Sequence, residues 1–243
     1  MAVAAGPDDV GGGGGSLTVP VFRSALVGPL LACLAAAGCG RQPTLEIRFI
    51  GNAAFELTDG AHTLVVDFPY EPGLTDYTPY DSGAVRARGE VLAVFTHAHR
   101  DHLDRGALLA RGWPVWGPAD ALALVPGERV FAGADSVDFG AFHLVRIPEW
   151  HADLEHYAYL ITWRGRRVYH SGDTMDPAHL LAMAELDVGL VGEGLVCWIA
   201  QQRGARVPAR EVILHHHLRT GPRGCPGARE LRQGESITLT PRG

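Results

Sequence analysis

The stretch FTHAHRDHLD, residues 95–104, sets three histidines and an aspartate within six residues, directly behind the apolar run EVLAVF. Neutral imidazole and carboxylate are the donors that borderline-soft divalent metals take. His97 and His99 are two apart, so on extended backbone both rings point to one side, and Asp101 continues that alternation. His102 follows at once, where the chain is expected to begin a helical turn that carries its ring to a second position. Four donors then converge at the mouth of a buried strand. Without a metal, burying them together would leave polar groups unsatisfied at roughly 1–3 kcal/mol each. A histidine-rich surface loop is the ordinary alternative, but it gives no reason for the string to follow a buried strand.

Further donors recur at the same kind of place. His151 follows the strand-like HLVRIPEW, Asp173 lies in HSGDT after RRVY, and the triplet His215-His216-His217 follows EVIL. Loops at strand ends are where α/β enzymes gather their chemistry. Singly, Asp173 reads equally as a turn cap and His151 as a surface residue; their order along the chain is what makes them candidates.

The elements that must position these groups are legible in outline. LEIRFI, AAFELT and HTLVVDF read as short strands punctuated by Gly-Asn and Asp-Gly turns. EVLAVF, DVGLVG and REVILH are continuous apolar runs of the kind buried on both faces. SVDFGAFHLVRIP reads as two strands around a glycine turn, HYAYLITWRGRRVYH as a hairpin turning at Arg164-Gly165-Arg166, and ESITLT as a closing strand. DRGALLARG, PADALALV and DPAHLLAMAEL read as helices, the last with Asp176 as its N-cap, and a further helix is expected between DVGLVG and REVILH. Strands that give way to alternating strands and helices indicate a layered α/β domain.

Composition sets the limits. A chain of 243 residues with 47% hydrophobic content supports one sizeable core. A net charge of −6 without a long Lys/Arg cluster argues against a nucleic-acid partner. Residues 1–20, with GGGGGS, cannot bury enough surface to order themselves. Residues 21–39 set Arg23 before an apolar run too short to span a bilayer, then small residues before a cysteine, which is a signal-peptide layout; a misplaced start codon is the alternative. The catalytic domain is placed at 44–243. No CxxC is present, so a thiolate zinc knuckle is not expected, and Cys197 and Cys225 could pair in an oxidising compartment.

The H-x-H-x-D-H string, a distant histidine, a Gly-Asp-Thr and a closing histidine after a strand, in that order, resemble the metallo-β-lactamase superfamily over roughly residues 44–240. FIGNAAFELTDG, VVDFPY, EHYAYLITWRGRR and HSGDT resemble bacterial hydrolases of its broad lactonase-like branch. The resemblance implies an αββα sandwich, two central mixed sheets flanked by helices, with a two-metal cleft. It implies that His97, His99 and His151 hold one ion, that Asp101, His102 and the closing histidine hold another, and that Asp173 bridges both. The family's usual spacing selects His216 over His215 and His217. Asp67 is placed to orient a ligand histidine, and His156 and His170 are extra histidines near the cleft, structural or substrate-facing. The implied cofactors are two divalent ions, Zn2+ first, with Mn2+ or Fe2+ as alternatives. AAAGC, ending at Cys39, resembles a bacterial lipobox, and LLAC, ending at Cys33, is a second candidate. Both imply a cell-envelope protein whose one membrane contact is an N-terminal lipid anchor; without a true signal the chain is cytoplasmic.

The expected activity is hydrolysis of an ester, lactone, thioester or phosphodiester bond in a small molecule. Two ions about 3.5–4 Å apart would bring a shared water to ionise near neutrality, with Asp101 holding the hydroxide in line. Two other readings stay open: an iron-dependent, persulfide dioxygenase-like oxidoreductase, and a non-catalytic zinc-binding envelope lipoprotein. A histidine at position 99, where the diiron oxygen-reducing relatives carry glutamate, disfavours that redox branch. Asp101 disfavours storage, which needs no water-orienting carboxylate.

Overall fold

The computed structural model describes residues 42–68, 83, 85–131, 133, 135–152, 154–216 and 225–242. Both lipobox-like cysteines and His217 lie outside the described residues. Arg41–Gly243 form one compact unit. Among the described residues no helix is long and apolar enough to cross a membrane.

The chain opens with β1 (Leu45–Gly51), β2 (Ala54–Thr58), β3 (His62–Val66) and β4 (Glu90–Val94), followed by α1 (Arg105–Arg111), β5 (Val115–Trp116) and α2 (Ala119–Leu122). Two hairpin pairs come next: β6 (Ser136–Phe139) with β7 (Phe142–Glu149), and β8 (His156–Trp163) with β9 (Arg166–His170). Then follow α3 (Ala178–Ala182), β10 (Leu186–Gly192), α4 (Glu193–Arg203), β11 (Ala209–His215), β12 (Arg229–Glu230) and β13 (Ser236–Leu239). One sheet runs β13-β1-β2-β3-β4-β5 and the other β12-β11-β10-β9-β8-β7-β6.

The hairpins follow from their turns. β8 and β9 are joined by Arg164 and Gly165 at φ 43° and 76°, the paired positive dihedrals that match strand twist across a two-residue loop. The two sheets face each other across one core. Phe49, Leu57, Leu64, Val66, Leu92 and Val94 come from the first sheet, and Leu144, Tyr159, Ile161, Trp163, Leu190 and Ile213 from the second. Each such side chain contributes about 1.5–3 kcal/mol on burial. Helices close the outer faces. Leu108 of α1 and Ala121 of α2 pack on Ala93, Phe95 and Val115. Leu180 of α3 and Leu195, Val196 and Ile199 of α4 pack on Tyr169, Val191 and Leu214. This is the αββα sandwich.

Two features bear on the site. β3 and β4 pair in parallel, as do β9, β10 and β11, so within each set the strands run out at the same edge. α1 begins three residues after His102 and is capped by Asp104, whose Oδ1 accepts from the backbone N–H of Gly106 and Ala107 at 2.9 and 3.2 Å, which fixes where the loop ends.

Three details depart from the sequence reading. β5 and β12 are two-residue strands that carry no readable alternation. α3 is shorter than DPAHLLAMAEL suggests, because Met183 already has extended dihedrals, φ −71° and ψ 148°. Its N-cap is Pro177, although Asp176 Oδ1 still accepts from Ala178 N at 2.9 Å, one residue early. The pairing that the sequence left open is formed: Cys197 on α4 and Cys225 beyond β11 make a disulfide, with Cα atoms 5.2 Å apart.

Candidate metal centre

β4 delivers the chain into a site it has already shaped. Thr96, His97 and His102 are fully buried, whereas His99 and Asp101 are half-buried. The alternation expected through Asp101 does not hold. The N–H groups of His102 and Leu103 both donate to His99 O, at 3.0 and 2.9 Å. The chain therefore turns at His99, and Asp101 and His102 present their donors from a turn. The second sheet pins this loop: Tyr157 N–H donates to Thr96 O at 3.0 Å and Tyr159 O–H to Phe95 O at 2.6 Å.

The structure brings seven donors together in two sets. In the first, His97, His99 and His151 offer ring nitrogens that all lie within 4.8 Å of one another. His99 Nδ1 is 2.9 Å from His97 Nε2 and 3.3 Å from His151 Nε2. Three nitrogens about 2.05 Å from a tetrahedral zinc would stand about 3.3 Å apart, so the donor set fits such an ion. In the second set, Asp101, His102, Asp173 and His216 converge within the same limit. Asp173 Oδ2 lies 3.2 Å from His102 Nε2, 3.1 Å from His216 Nε2 and 3.9 Å from His97 Nε2, so it faces both sets. Asp101 Oδ2 lies 3.3 Å from His216 Nε2 and 3.6 Å from His102 Nε2. His102 Nε2 and Asp173 Oδ1 are buried without a protein hydrogen-bond partner. Buried polar atoms are rarely left so, and a cation between them would satisfy both.

One carboxylate orients a histidine in each set. Asp67 accepts from Thr96 N–H and from Thr96 Oγ1–H, both at 2.7 Å, and its Oδ2 lies 2.9 Å from His102 Nδ1. A carboxylate can only accept, so the His102 proton sits on Nδ1 and the Nε2 lone pair faces the centre. The Thr96 hydroxyl, having donated to Asp67, accepts from His97 Nδ1 at 3.0 Å, which frees His97 Nε2 in the same way.

Electrostatics divide the sets. Burial holds His97 well below its ordinary range, against the opposing pull of Asp173, and lowers His151. Burial would also depress His102, but the Asp173 and Asp67 carboxylates outweigh it and hold the ring well above its ordinary range. His216 is raised despite burial, by its bonds to Asp101 and Asp173. In return, His102 and His216 hold Asp173 well below the carboxylate range against the effect of burial.

The other histidines that border the centre are enclosed. His156 accepts from Asp173 N–H at 2.9 Å through Nε2, and burial pushes it down to about 4. His170 donates from Nε2 to Ala53 O at 2.9 Å and accepts from Gly172 N–H at 3.1 Å. Both rings are buried, with these bonds inside the protein and no exposed face for a substrate. His215 is buried, stacked on His170 with centroids 4.7 Å apart, while His216, at φ 53°, turns into the centre. Sequence reasoning missed Thr96 and Asn52. Thr96 was readable only as the residue before the motif. Asn52 looked like an ordinary turn residue, yet its Nδ2 donates to Asp101 O at 3.0 Å.

Residues 46–207 match the beta-lactamase superfamily domain, a stretch that stops short of His216. A UPF0173 metal-dependent hydrolase of Thermus thermophilus is 27% identical over 167 residues, covering 62% of this chain and 71% of that protein. Among solved structures, a metallo hydrolase, Igni18 of Ignicoccus hospitalis, superposes with a TM-score of 0.61 at 18% identity, covering 82% of this chain and all of that one. The metallo-beta-lactamase fold protein YhfI of Bacillus subtilis gives 0.58 at 17% identity over the same share of this chain and all of its own. Such distant structural likeness speaks for the fold, and the domain match speaks for descent: the chain belongs to the metallo-β-lactamase superfamily.

Proposed function

We propose that this protein is a metal-dependent hydrolase that takes two divalent ions in the centre and cleaves an ester, lactone, thioester or phosphodiester bond of a small molecule. The observation that carries this reading is the meeting of seven donors in two sets about Asp173. The relative named a metal-dependent hydrolase supports the reaction class. Imidazole and carboxylate donors suit zinc first, with manganese or iron as alternatives.

When bound, the ions supply Lewis acidity and a water that ionises near neutrality. The chain supplies the rest. His97 and His102 sit at the buried base, held by Thr96 and Asp67, while His99, Asp101, His151, Asp173 and His216 are half-buried and so border the side open to a substrate. Asp101, held below the carboxylate range by His216 and His102 against the effect of burial, stays ionised at neutral pH and can hold the attacking water by its proton. The signal-like segment 21–39 and the Cys197–Cys225 disulfide support an envelope location, where disulfides persist.

The test pairs metal analysis of the purified protein with a panel of esters, lactones, thioesters and phosphodiesters. Hydrolysis should disappear on chelation and return with zinc. His99→Ala and Asp173→Ala should each lower turnover by about 10³-fold or more, equivalent to about 4 kcal/mol, in a protein that still folds. Activity that survives metal removal or either substitution would sink the reading.

A further inference from the structure

The turn between β1 and β2 is short and buried, with Asn52 and Ala53 each 1% exposed. Asn52 adopts φ 48°, a left-handed conformation that asparagine tolerates better than most residues, at a point where the β1–β2 register shifts. An Asn in such a turn usually serves the turn and faces water. This one bonds to segments far along the chain instead, and the segments it meets carry the donors of the second set.

Three ties leave this turn. Asn52 Nδ2–H donates to the backbone carbonyl of Asp101 at 3.0 Å. The backbone N–H of His216 donates to Asn52 O at 3.1 Å. His170 Nε2–H donates to Ala53 O at 2.9 Å, and the same ring accepts from Gly172 N–H at 3.1 Å, next to Asp173. Asp101, Asp173 and His216 come from three separate loops, and each loop is fastened to one two-residue turn. Among the described residues, none of the turn's ties ends on His97, His99 or His151; His97 and His99 share the Asp101 loop but lie on its other arm, where Thr96 and the second sheet hold the chain.

We propose that Asn52 is a positioning residue for the second metal set alone: it fixes the Asp101 loop against the His216 loop so that an ion meets a preformed site. This rests on the two-ion reading above. The reason is geometric. Asp101 projects from a turn in which the backbone N–H groups of His102 and Leu103 close on His99, and the opposing carboxylate–imidazole pair, Asp101 Oδ2 to His216 Nε2, is set at 3.3 Å. With the Asn52 amide removed, the Asp101 carbonyl loses its anchor and the loop can swing away from His216. Partners of this outer kind typically change metal affinity by about 10–100-fold when lost.

Zinc-loaded full-length protein is titrated with a coloured chelator, and zinc released per chain is followed alongside the melting temperature. Asn52→Gly keeps the left-handed conformation and removes the side-chain donor together with the rest of the carboxamide. One zinc per chain should leave at about 10–100-fold lower chelator concentration than in the wild type, and the other should leave where it does in the wild type, with the melting temperature little changed. Asn52→Asp keeps the shape but sets an oxygen against the Asp101 carbonyl, and it should show the same selective loss. If both ions weaken together, Asn52 is a general stabiliser and the proposal fails. It fails equally if either variant releases both ions as the wild type does. A wild-type chain that takes up fewer than two zinc ions overturns the two-ion reading first, and this inference with it.

Discussion

The two halves of the centre use the same donor types in opposite electrostatic settings. The first half is three imidazoles, with His97 and His151 kept neutral by burial. The second half carries two carboxylates with Asp67 behind them: Asp173 and Asp67 hold His102, and Asp101 and Asp173 hold His216, above the ordinary range against burial. The first is a pocket of lone pairs waiting for a cation; the second is a pocket of negative charge that takes a proton when no cation is present. Ligands must be deprotonated before a metal binds, so protons compete for the second half far more than for the first.

Acid should expose that difference most strongly. In the second half His102 and His216 retain their protons to a higher pH than a free imidazole, so the affinity of its ion is lost as pH falls through those raised values. Each proton displaced lowers apparent affinity by about tenfold per pH unit, so two give about 100-fold. In the first half His97 and His151 are depressed, so its ion holds until the solution is more acidic. Zinc content measured by equilibrium dialysis across a pH series should fall in two steps, from two ions to one and then to none. A single step releasing both would erase the distinction between the halves.

Asp67→Asn should come next, and it should act on both halves. The asparagine amide can place a donor against His102 Nδ1–H, which pushes the ring proton to Nε2, where the ion would bind. It also disturbs the Thr96 hydroxyl that fixes His97. A loss of about 10–100-fold in affinity for each ion is expected, read by the same chelator competition. An effect confined to one ion would show that the Thr96 link carries no orientation to His97.

How much of this was written plainly in the chain depends on where the information sits. His97, His99, Asp101 and His102 are contiguous, so their types and spacing carry the chemistry without a fold. His151, Asp173 and His216 were visible as strand-end residues, because continuous apolar runs and hairpin turns announce where strands stop. The layered α/β core followed from the same runs, and the two-sheet sandwich from the family resemblance. What could not be read lies in tertiary context. Asn52 is an unremarkable turn residue until the sheets bring Asp101 and His216 beside it. The turn at His99 replaced the expected alternation because its carbonyl accepts two N–H groups, a choice invisible in residue types. β5 and β12 exist only because longer neighbours offer them an edge. The family's spacing selects His216 over His215, but the positive φ that turns residue 216 into the centre was not legible.

Thr96→Val gives the narrowest cut between the halves. Valine matches threonine in shape, and position 96 is fully buried, so the substitution removes one hydroxyl without opening a cavity. The backbone bond from residue 96 N–H to Asp67 Oδ1 survives, and so does the direct contact of Asp67 with His102. His97 loses its partner, and its ring becomes free to take either tautomer, while Asp67 Oδ2 gives up the hydroxyl donor but keeps His102. The first ion should weaken by about tenfold, the lower end of the range for such partners, while the second stays as in the wild type. That is the mirror image of Asn52→Gly. Combining Thr96→Val with Asn52→Gly tests whether the halves are independent. If each tether serves its own ion, the losses add, because sites without shared partners behave additively. A combined loss well beyond the sum would instead assign the coupling to Asp173, the one carboxylate that faces both sets.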